Sequence, residues 1–192
     1  MNKSFQKRKK FEGKGRPNLL QRNFKIDKPN KIWVSDISYI KTQGFVYLAA
    51  VLDLFSRKVV GWKVEDHMRV NLVEEALTSA LFRRKPIKLI HHSDRGAQYT
   101  SDCFQRMSEK YGITLSMNDK GCYDNAVIES FFHTLKTELI YLKRFESKQE
   151  VKSAVFEYIE VFYNRQRIHS TLGYTSPEAF ENSYREKQML CS

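Results

Sequence analysis

Three carboxylates constrain this chain more than any other feature, because each lies on a segment with apolar neighbours. Asp36 lies inside a predicted strand, Asp94 ends another, and Glu129 lies in a predicted helix. A carboxylate in an apolar strand is costly unless something pairs with it, and several carboxylates together repel unless a divalent cation neutralises them. Oxygen ligands without Cys or His partners suit Mg²⁺ or Mn²⁺. The set therefore indicates metal-dependent phosphoryl transfer.

Periodicity predicts the elements that carry these acids. Strands are predicted over 31–41, 45–54, 58–64, 88–93 and 113–117, and helices over 71–82, about 101–111, about 124–142 and about 147–163. Ser101 and Thr100 are placed to cap the second of these helices. Three hairpin-linked strands followed by alternating helices and strands predict an α/β domain with a mixed five-stranded sheet flanked by helices. We expect an arm over 1–30, a catalytic core over 31–182 and a tail over 183–192.

Four motifs follow one another along the chain. They are Trp33-Val-Ser-Asp-Ile-Ser-Tyr39, His92-Ser-Asp-Arg-Gly-Ala-Gln-Tyr-Thr-Ser101, Gly121-Cys-Tyr-Asp-Asn-Ala-Val-Ile-Glu-Ser-Phe-Phe132 and Tyr163-Asn-Arg-Gln-Arg-Ile-His-Ser-Thr-Leu-Gly-Tyr-Thr-Ser-Pro177. From about residue 17 to about residue 180 the chain resembles the integrase-core DDE transposases of bacterial insertion sequences, and most of all the second reading frame (OrfB) of the large two-frame group. The gap between Asp94 and Glu129 holds 34 residues, one fewer than is usual in the family, and a loop deletion before a helix is easily absorbed.

The resemblance implies a ribonuclease H-like fold, a site and a set of partners. Asp36, Asp94 and Glu129 match the family's catalytic triad, and two ions of Mg²⁺ or Mn²⁺ are expected there for strand cleavage and strand transfer. Lys136, two turns beyond Glu129, matches the basic residue that contacts the DNA end. The implied partners are DNA, both element ends and target, and further copies of the chain assembled on that DNA.

The positive charge is concentrated at one end of the chain. The formal net charge is +11, and residues 1–31 hold eleven Lys and Arg against two Asp and Glu. A basic segment attracts phosphates without regard to sequence, and the alternative is a solvated run of charge. We expect DNA contact from the densest run, which comprises Lys7, Arg8, Lys9 and Lys10.

The family normally carries a helix-turn-helix module before this point, and residues 1–15 do not match it. Three explanations stay open: a truncated gene, an internal translation start, or a second chain from the upstream frame that supplies the module. Cys103, Cys122 and Cys191 show neither paired spacing nor a zinc-type cluster, which indicates reduced thiols. No apolar run has the length of a membrane span, so a cytoplasmic, nucleoid-associated protein without a membrane partner is expected.

Two other groups compete for a role at the site. Asp53 also lies in an apolar strand, but its position beside the turn after that strand favours a structural hydrogen bond or ion pair. His91 and His92 invite a zinc interpretation, but no second His at helical spacing and no Cys accompanies them. The family motif places the first acid at Asp36 rather than at Asp53.

The segment 163–170 leaves two interpretations open. Arg165 and Arg167 are candidates for phosphate contact. Asn164 and His169 equally suit a structural role, in which they tie the last helix to the chain end.

The resulting hypothesis is a DDE transposase catalytic core, a polynucleotidyl transferase for insertion-sequence transposition. Two alternatives remain. One is a nuclease of the same fold that cuts DNA without joining it, and the other is a degenerate transposase remnant that binds DNA or a partner without catalysis.

Overall fold

The computed structural model describes residues 16–118 and 125–190. Within those ranges the strands are β1 (Ile32–Lys41), β2 (Phe45–Asp53), β3 (Val59–Glu65), β4 (Ile90–Ser93) and β5 (Thr114–Met117). The α-helices are α1 (Val70–Arg84), α2 (Asp102–Lys110), α3 (Ala126–Glu138), α4 (Lys148–Phe156) and α5 (Pro177–Leu190). Short 3-10 turns lie at Ile140–Leu142 and Ser170–Leu172, and a π-helical stretch continues α4 over Glu157–Tyr163.

A mixed five-stranded sheet, in the order β3-β2-β1-β4-β5, organises these elements. The first three strands pair antiparallel through short links, and β4 and β5 add to β1 in parallel. Parallel neighbours need a crossover connection, which α1 and α2 supply. The predicted mixed sheet with flanking helices is therefore confirmed.

Two apolar cores lie on opposite faces of the sheet, because successive side chains of a strand point to opposite sides. The first core joins Val34 of β1 to Ile128 of α3 and reaches α4. The second joins Trp33, the preceding residue of β1, to Leu77 of α1 and Phe104 of α2. Residue 36 therefore shares the face of β1 on which α3 lies.

Two predicted helices differ from the observed ones at their carboxyl ends. The helix predicted over about 124–142 ends as an α-helix at Glu138, because Leu139 takes φ −130° and turns the chain into the 3-10 segment. The helix predicted over about 147–163 is α-helical to Phe156 and π-helical beyond it. The predicted cap Ser101 is confirmed, since its side chain accepts from the N–H of Phe104 at 3.2 Å.

The last helix, α5, was not predicted. It begins at Pro177, after Ser176, whose hydroxyl accepts from the N–H of Ala179 at 3.3 Å. It continues to Leu190, and so runs through the predicted boundary between residues 182 and 183. Among the described residues, no helix is both long and apolar enough to cross a bilayer.

The described part of the predicted N-terminal arm, residues 16–30, forms neither helix nor strand and lies on the core. Leu20 is fully buried. The N–H of Leu19 donates to the hydroxyl of Ser116 at 2.9 Å, and the carbonyl of Pro17 accepts from the N–H of Met117 at 3.3 Å. The predicted DNA contacts at Lys7, Arg8, Lys9 and Lys10 lie outside the described residues.

Candidate active site

Asp36 lies in the middle of β1, and its side chain is partly buried. Its Oδ1 accepts a hydrogen bond of 2.8 Å from the N–H of Ile37. The pKa of Asp36 is raised to about 7, first by burial and then by the negative charges of Asp94 and Glu129. The hydrogen bond from Ile37 and the charge of Lys136 act in the opposite direction. The three acids are thus close enough to act electrostatically on one another, and a cation between them would relieve the repulsion.

Asp94 follows the last residue of β4, next to β1. In the parallel pairing of these strands, Ser93 lies opposite Ser35, so Asp36 and Asp94 follow partnered residues. The Oδ1 of Asp94 accepts from the N–H of Gly96 at 2.9 Å. A Cβ on residue 96 would lie 2.9 Å from that same oxygen, so glycine lets the carboxylate fold back onto its own turn.

Glu129 lies in the first turn of α3, where a negative charge is favoured by the helix dipole. Its N–H donates to the carbonyl of Asn125, the residue before the helix, at 3.1 Å. The neighbouring Ile128 is 0% exposed and belongs to the same core as Val34 of β1. This packing holds α3 against the sheet, while the side chain of Glu129 stays exposed at the rim.

Among the described residues, the carboxylate oxygens of these three acids do not all lie within 4.8 Å of one another. That condition is met instead by Glu65, Asp66 and His67, at the end of β3. The carboxylates of this second cluster already have a cation, because the Nζ of Lys148 lies 3.0 Å from Glu65 and 3.1 Å from Asp66. The second cluster is therefore compensated by an ion pair, and it lacks the unrelieved repulsion found at Asp36.

Lys136 lies two turns beyond Glu129 on α3 and is partly buried. Its Nζ lies 4.9 Å from the ring centroid of Tyr39, which is 60% exposed on β1. This cation–π contact directs the ammonium group along the acid-bearing strand, consistent with its effect on Asp36. The sequence interpretation did not single out Tyr39. The available signal was its place at the end of the motif that contains Asp36.

Asp53 has the structural role that was favoured for it. Its carboxylate accepts from the N–H of Asn30 at 2.7 Å and the N–H of Phe55 at 3.0 Å. Arg84 lies 3.5 Å away and also forms a close pair, at 2.7 Å, with the buried Glu181 of α5. These contacts tie α5 to the sheet, on a network distinct from the three acids.

The two histidines next to Asp94 are held by hydrogen bonds inside the protein. The Nε2 of His91 lies 2.7 Å from the hydroxyl of Ser35, and burial lowers the pKa of His91 to about 3. His92 contacts Ser116 at 2.8 Å and Asn118 at 2.5 Å. The two rings therefore link β4 to β1 and to β5, and among the described residues neither belongs to a group of three potential metal ligands.

The described contacts of the segment 163–170 are all made within the protein. The side-chain amide of Asn164 pairs with the backbone of Val59, at 2.9 Å in both directions. Arg167 forms a forked ion pair with Glu138 at 2.7–3.0 Å. Arg165 is exposed and lies 3.4 Å from Glu178. Asn164 therefore has a structural role, whereas contact of either arginine with DNA stays a prediction.

The mixed sheet, with one acid inside a strand, one after a strand and one on a helix, defines an integrase-type core, and the comparison with protein families agrees. Two models, each described as an integrase core domain, match residues 26–122 and 129–184. The chain belongs to the integrase core domain family. It is 48% identical over 168 residues to the transposase InsF for insertion sequence IS3A of Escherichia coli, covering 86% of this chain and 58% of that protein. It is 45% identical over 173 residues to the 31 kDa protein of insertion element IS600 of Shigella sonnei, covering 88% of this chain and 64% of that protein.

Solved structures share the fold at low identity. A chain of the simian T-cell lymphotropic virus intasome has a TM-score of 0.68 at 17% identity, covering 82% of this chain and 56% of that one. The catalytic core domain of BIV integrase has a TM-score of 0.61 at 18% identity, and the match covers 83% of this chain and 99% of that one. The catalytic core domain of HTLV-2 integrase, in complex with magnesium, has a TM-score of 0.58 at 18% identity, and the match covers 80% of this chain and 97% of that one. The fold is therefore ribonuclease H-like, as predicted.

Proposed function

We propose that this chain is the catalytic core of an insertion-sequence transposase, which cuts DNA strands at the element ends and joins them to a target. The observation that carries the proposal is the placement of Asp36 and Asp94 after partnered residues of neighbouring parallel strands. Glu129, on α3, is close enough for its charge to act on Asp36. The relatives named as transposases support it. Because the chain spans 58% of their length, their complete activity is part of the proposal.

The three acids fit a divalent cation of the hard class. All the proposed ligands are carboxylate oxygens, which suit Mg²⁺ or Mn²⁺. The raised pKa of Asp36 reflects burial and like charge, and bound cations would offset both. We infer two ions, which Asp36, Asp94 and Glu129 would hold. Such ions would supply an activated hydroxyl nucleophile and stabilisation of the leaving 3′-oxygen.

The remaining residues position DNA around that chemistry. The β1–β4 pairing fixes Asp36 beside Asp94, and the turn at Gly96 holds the Asp94 carboxylate through a backbone hydrogen bond. Lys136, held over the ring of Tyr39, provides a cation for a DNA phosphate near the acids. Arg165, Arg167 and the basic run 7–10 are proposed as further phosphate contacts.

The proposed partners follow from this activity. Element ends and target DNA are the substrates, and several copies of the chain assemble on them. An upstream-frame protein with a helix-turn-helix module supplies recognition of the end sequence. The complex acts at the nucleoid.

Separate assays of cleavage and joining test the proposal. The full chain is incubated with duplex DNA carrying the element end, with Mg²⁺, with Mn²⁺ or with a chelator. Asp94→Asn is the test variant, and Asp102→Asn, an exposed acid at the start of α2, is the matched control. We expect metal-dependent cleavage and joining, both lost in Asp94→Asn with DNA affinity near wild type, and both kept in the control.

Each alternative gives a different outcome of the same assays. Cleavage without joining would identify a nuclease of the same fold. DNA binding with neither reaction would identify a non-catalytic remnant. Activity that survives chelation would contradict the metal-dependent mechanism.

A further inference from the structure

We propose that a cavity between α3 and the segment 163–174 holds one phosphate-bearing nucleotide of the DNA strand, with Arg57 as its anion contact. The proposal rests on the proposed function and deepens it, because it places DNA at a second point beside the three acids. The cavity has a volume of about 550 Å³, within the range of sites that enclose small molecules.

Among the described residues, basic groups line this cavity and no carboxylate does. Its titratable side chains are those of Arg57, Arg167, His169 and two tyrosines. Hydroxyl groups of Ser130, Ser170 and Thr171 add neutral hydrogen-bonding capacity. A concave surface with fixed positive charge and no acidic group concentrates anions.

Arg57, in the turn between β2 and β3, has no ion pair among the described residues, and the negative charge of Asp53 acts on it from a greater distance. No carboxylate of a described residue lies within ion-pair distance of it. Its Nη2 makes one long hydrogen bond, 3.4 Å, to the carbonyl of Phe24, and its Nη1 has no described partner. Burial lowers the pKa of this guanidinium. A partly buried guanidinium with one nitrogen unpartnered is stabilised when an anion joins it.

Arg167 and His169 do not supply the same charge. The charge of Arg167 is neutralised by its forked ion pair with Glu138. Burial lowers the pKa of His169 to about 4, so the ring is neutral at pH 7. Its Nε2 lacks a hydrogen-bond partner among the described residues. His169 therefore offers a hydrogen bond, and Arg57 offers the charge.

Backbone geometry gives a second observation at the same cavity. Arg57 takes φ 61° and Tyr174 takes φ 60°, a left-handed conformation that bulky residues rarely adopt. Such strain persists where surrounding structure imposes it, and it is concentrated at functional positions. The ring of Tyr174 lines the cavity and is 73% exposed, so it presents a flat surface on which a base can stack.

The position of the cavity favours DNA over an acidic peptide. Its wall includes Ser130 and Thr134 of α3, and Ser130 directly follows Glu129. Lys136 lies on the same helix and acts on Asp36. The cavity and Glu129 therefore share helix α3, so a DNA strand with a phosphodiester at the acids and a further nucleotide in the cavity would run along one helix.

The salt dependence of DNA binding tests this contact. Affinity of the full chain for a short duplex is measured in EDTA over a range of salt concentrations. Arg57→Gln should reduce the slope of log affinity against log salt by about 0.9, the value for one lost phosphate contact on duplex DNA. Arg57→Lys should restore the slope. Arg106→Gln, an equal charge change on the exposed face of α2, should leave the slope unchanged.

Small probes test the occupant directly. Thymidine 5′-monophosphate, thymidine and a glutamate-rich peptide are titrated into wild type and Arg57→Gln. We expect the monophosphate to bind best and to lose about tenfold in affinity with the variant, as for one charged hydrogen bond. An unchanged salt slope in folded Arg57→Gln, an equal loss in Arg106→Gln, or preference for the peptide would overturn the proposal.

Tyr174→Ala keeps the test decisive if Arg57→Gln does not fold, because that side chain is largely exposed. Its affinity for single-stranded DNA should fall about tenfold through lost stacking, with the salt slope kept, and unchanged affinity would contradict the proposal. All binding is measured without metal or cleavage. If cleavage is present but the salt slope does not depend on Arg57, only the proposal for this cavity fails. If cleavage is absent but the salt slope depends on Arg57, only the transposase proposal fails.

Discussion

Asp36 and Asp94 take equivalent places on neighbouring parallel strands, because Ser35 and Ser93, the residues before them, are partners in the β1–β4 pairing. The register of the two strands therefore sets the positions of both carboxylates along the sheet without any bound ligand. Glu129 reaches the same region from α3, whose apolar side packs on β1. The site is thus built by sheet register and by the docking of one helix.

The charge of Asp36 should make the metal-free protein pH-sensitive. The folded protein keeps the Asp36 proton up to about pH 7, whereas the ordinary pKa is 3.8. Between these values the unfolded chain binds fewer protons, so stability falls as pH rises through the window. Asp36→Asn, which keeps an acceptor for the N–H of Ile37, should stabilise the protein by on the order of a few kcal/mol above pH 7.

Thermal unfolding in EDTA at pH 5 and pH 8 checks this expectation. The gain in Tm for Asp36→Asn should be larger at pH 8 than at pH 5. An equal gain in Tm at the two pH values, or a loss at pH 8, would mean that the folded protein does not disfavour the ionised form of Asp36.

Gly96→Ala should impair metal binding more than folding. The added Cβ would meet the Oδ1 of Asp94 at 2.9 Å and push the carboxylate from its turn. Displaced support for a ligand typically weakens metal affinity about 10–100-fold. Titration with Mn²⁺ measures this. Gly44→Ala is the matched control, because nothing lies within 4 Å of a Cβ there, and equal losses in both variants would show that Gly96 has no special role.

Removal of Glu181 should destabilise the fold without touching the acids. Glu181 is 1% exposed and neutralises Arg84, which also lies next to Asp53. Glu181→Ala leaves a buried arginine short of a partner, a change that typically costs about 3–5 kcal/mol. Denaturant unfolding measures the loss. Glu186→Ala, an exposed residue of the same helix, should change stability little.

The first fifteen residues should dominate non-specific DNA affinity. They contain Lys3, Lys7, Arg8, Lys9, Lys10 and Lys14, and each phosphate contact adds about 0.9 to the salt slope. Deletion of residues 1–15 should lower that slope by several units while the Tm of the core stays near wild type. An identical slope in the deletion variant would show that these residues do not contact DNA.

The five strands of the sheet could be predicted from the sequence because short hairpin links and apolar strand segments are local signals. It missed α5 because the inward positions of that helix, Pro177, Phe180, Glu181 and Tyr184, have helical spacing but include a charge where an apolar residue is expected. Glu181 is buried because Arg84, 97 residues away, pairs with it and the hydroxyl of Ser56 donates to it. Such a partner is invisible to local periodicity.

The same limit applies at the site. Asp36, Asp94 and Glu129 were predicted from residue type and motif, and in the structure the charges of Asp94 and Glu129 act on Asp36. Their catalytic role stays a prediction. The contact of Lys136 with Tyr39, and the cavity that Arg57 shares with residues of α3, depend on how α3 packs on the sheet. Spacing along the chain carries no information about either.

Crystals of the full chain grown with Mn²⁺ give the most direct measurement of the central claim, because anomalous scattering locates the ion without assumptions about activity. The account predicts manganese bound between Asp36 and Asp94 and lost in Asp94→Asn. Manganese at Glu65, Asp66 and His67 instead, in place of Lys148, or no manganese at Asp36 at saturating concentration, would contradict it.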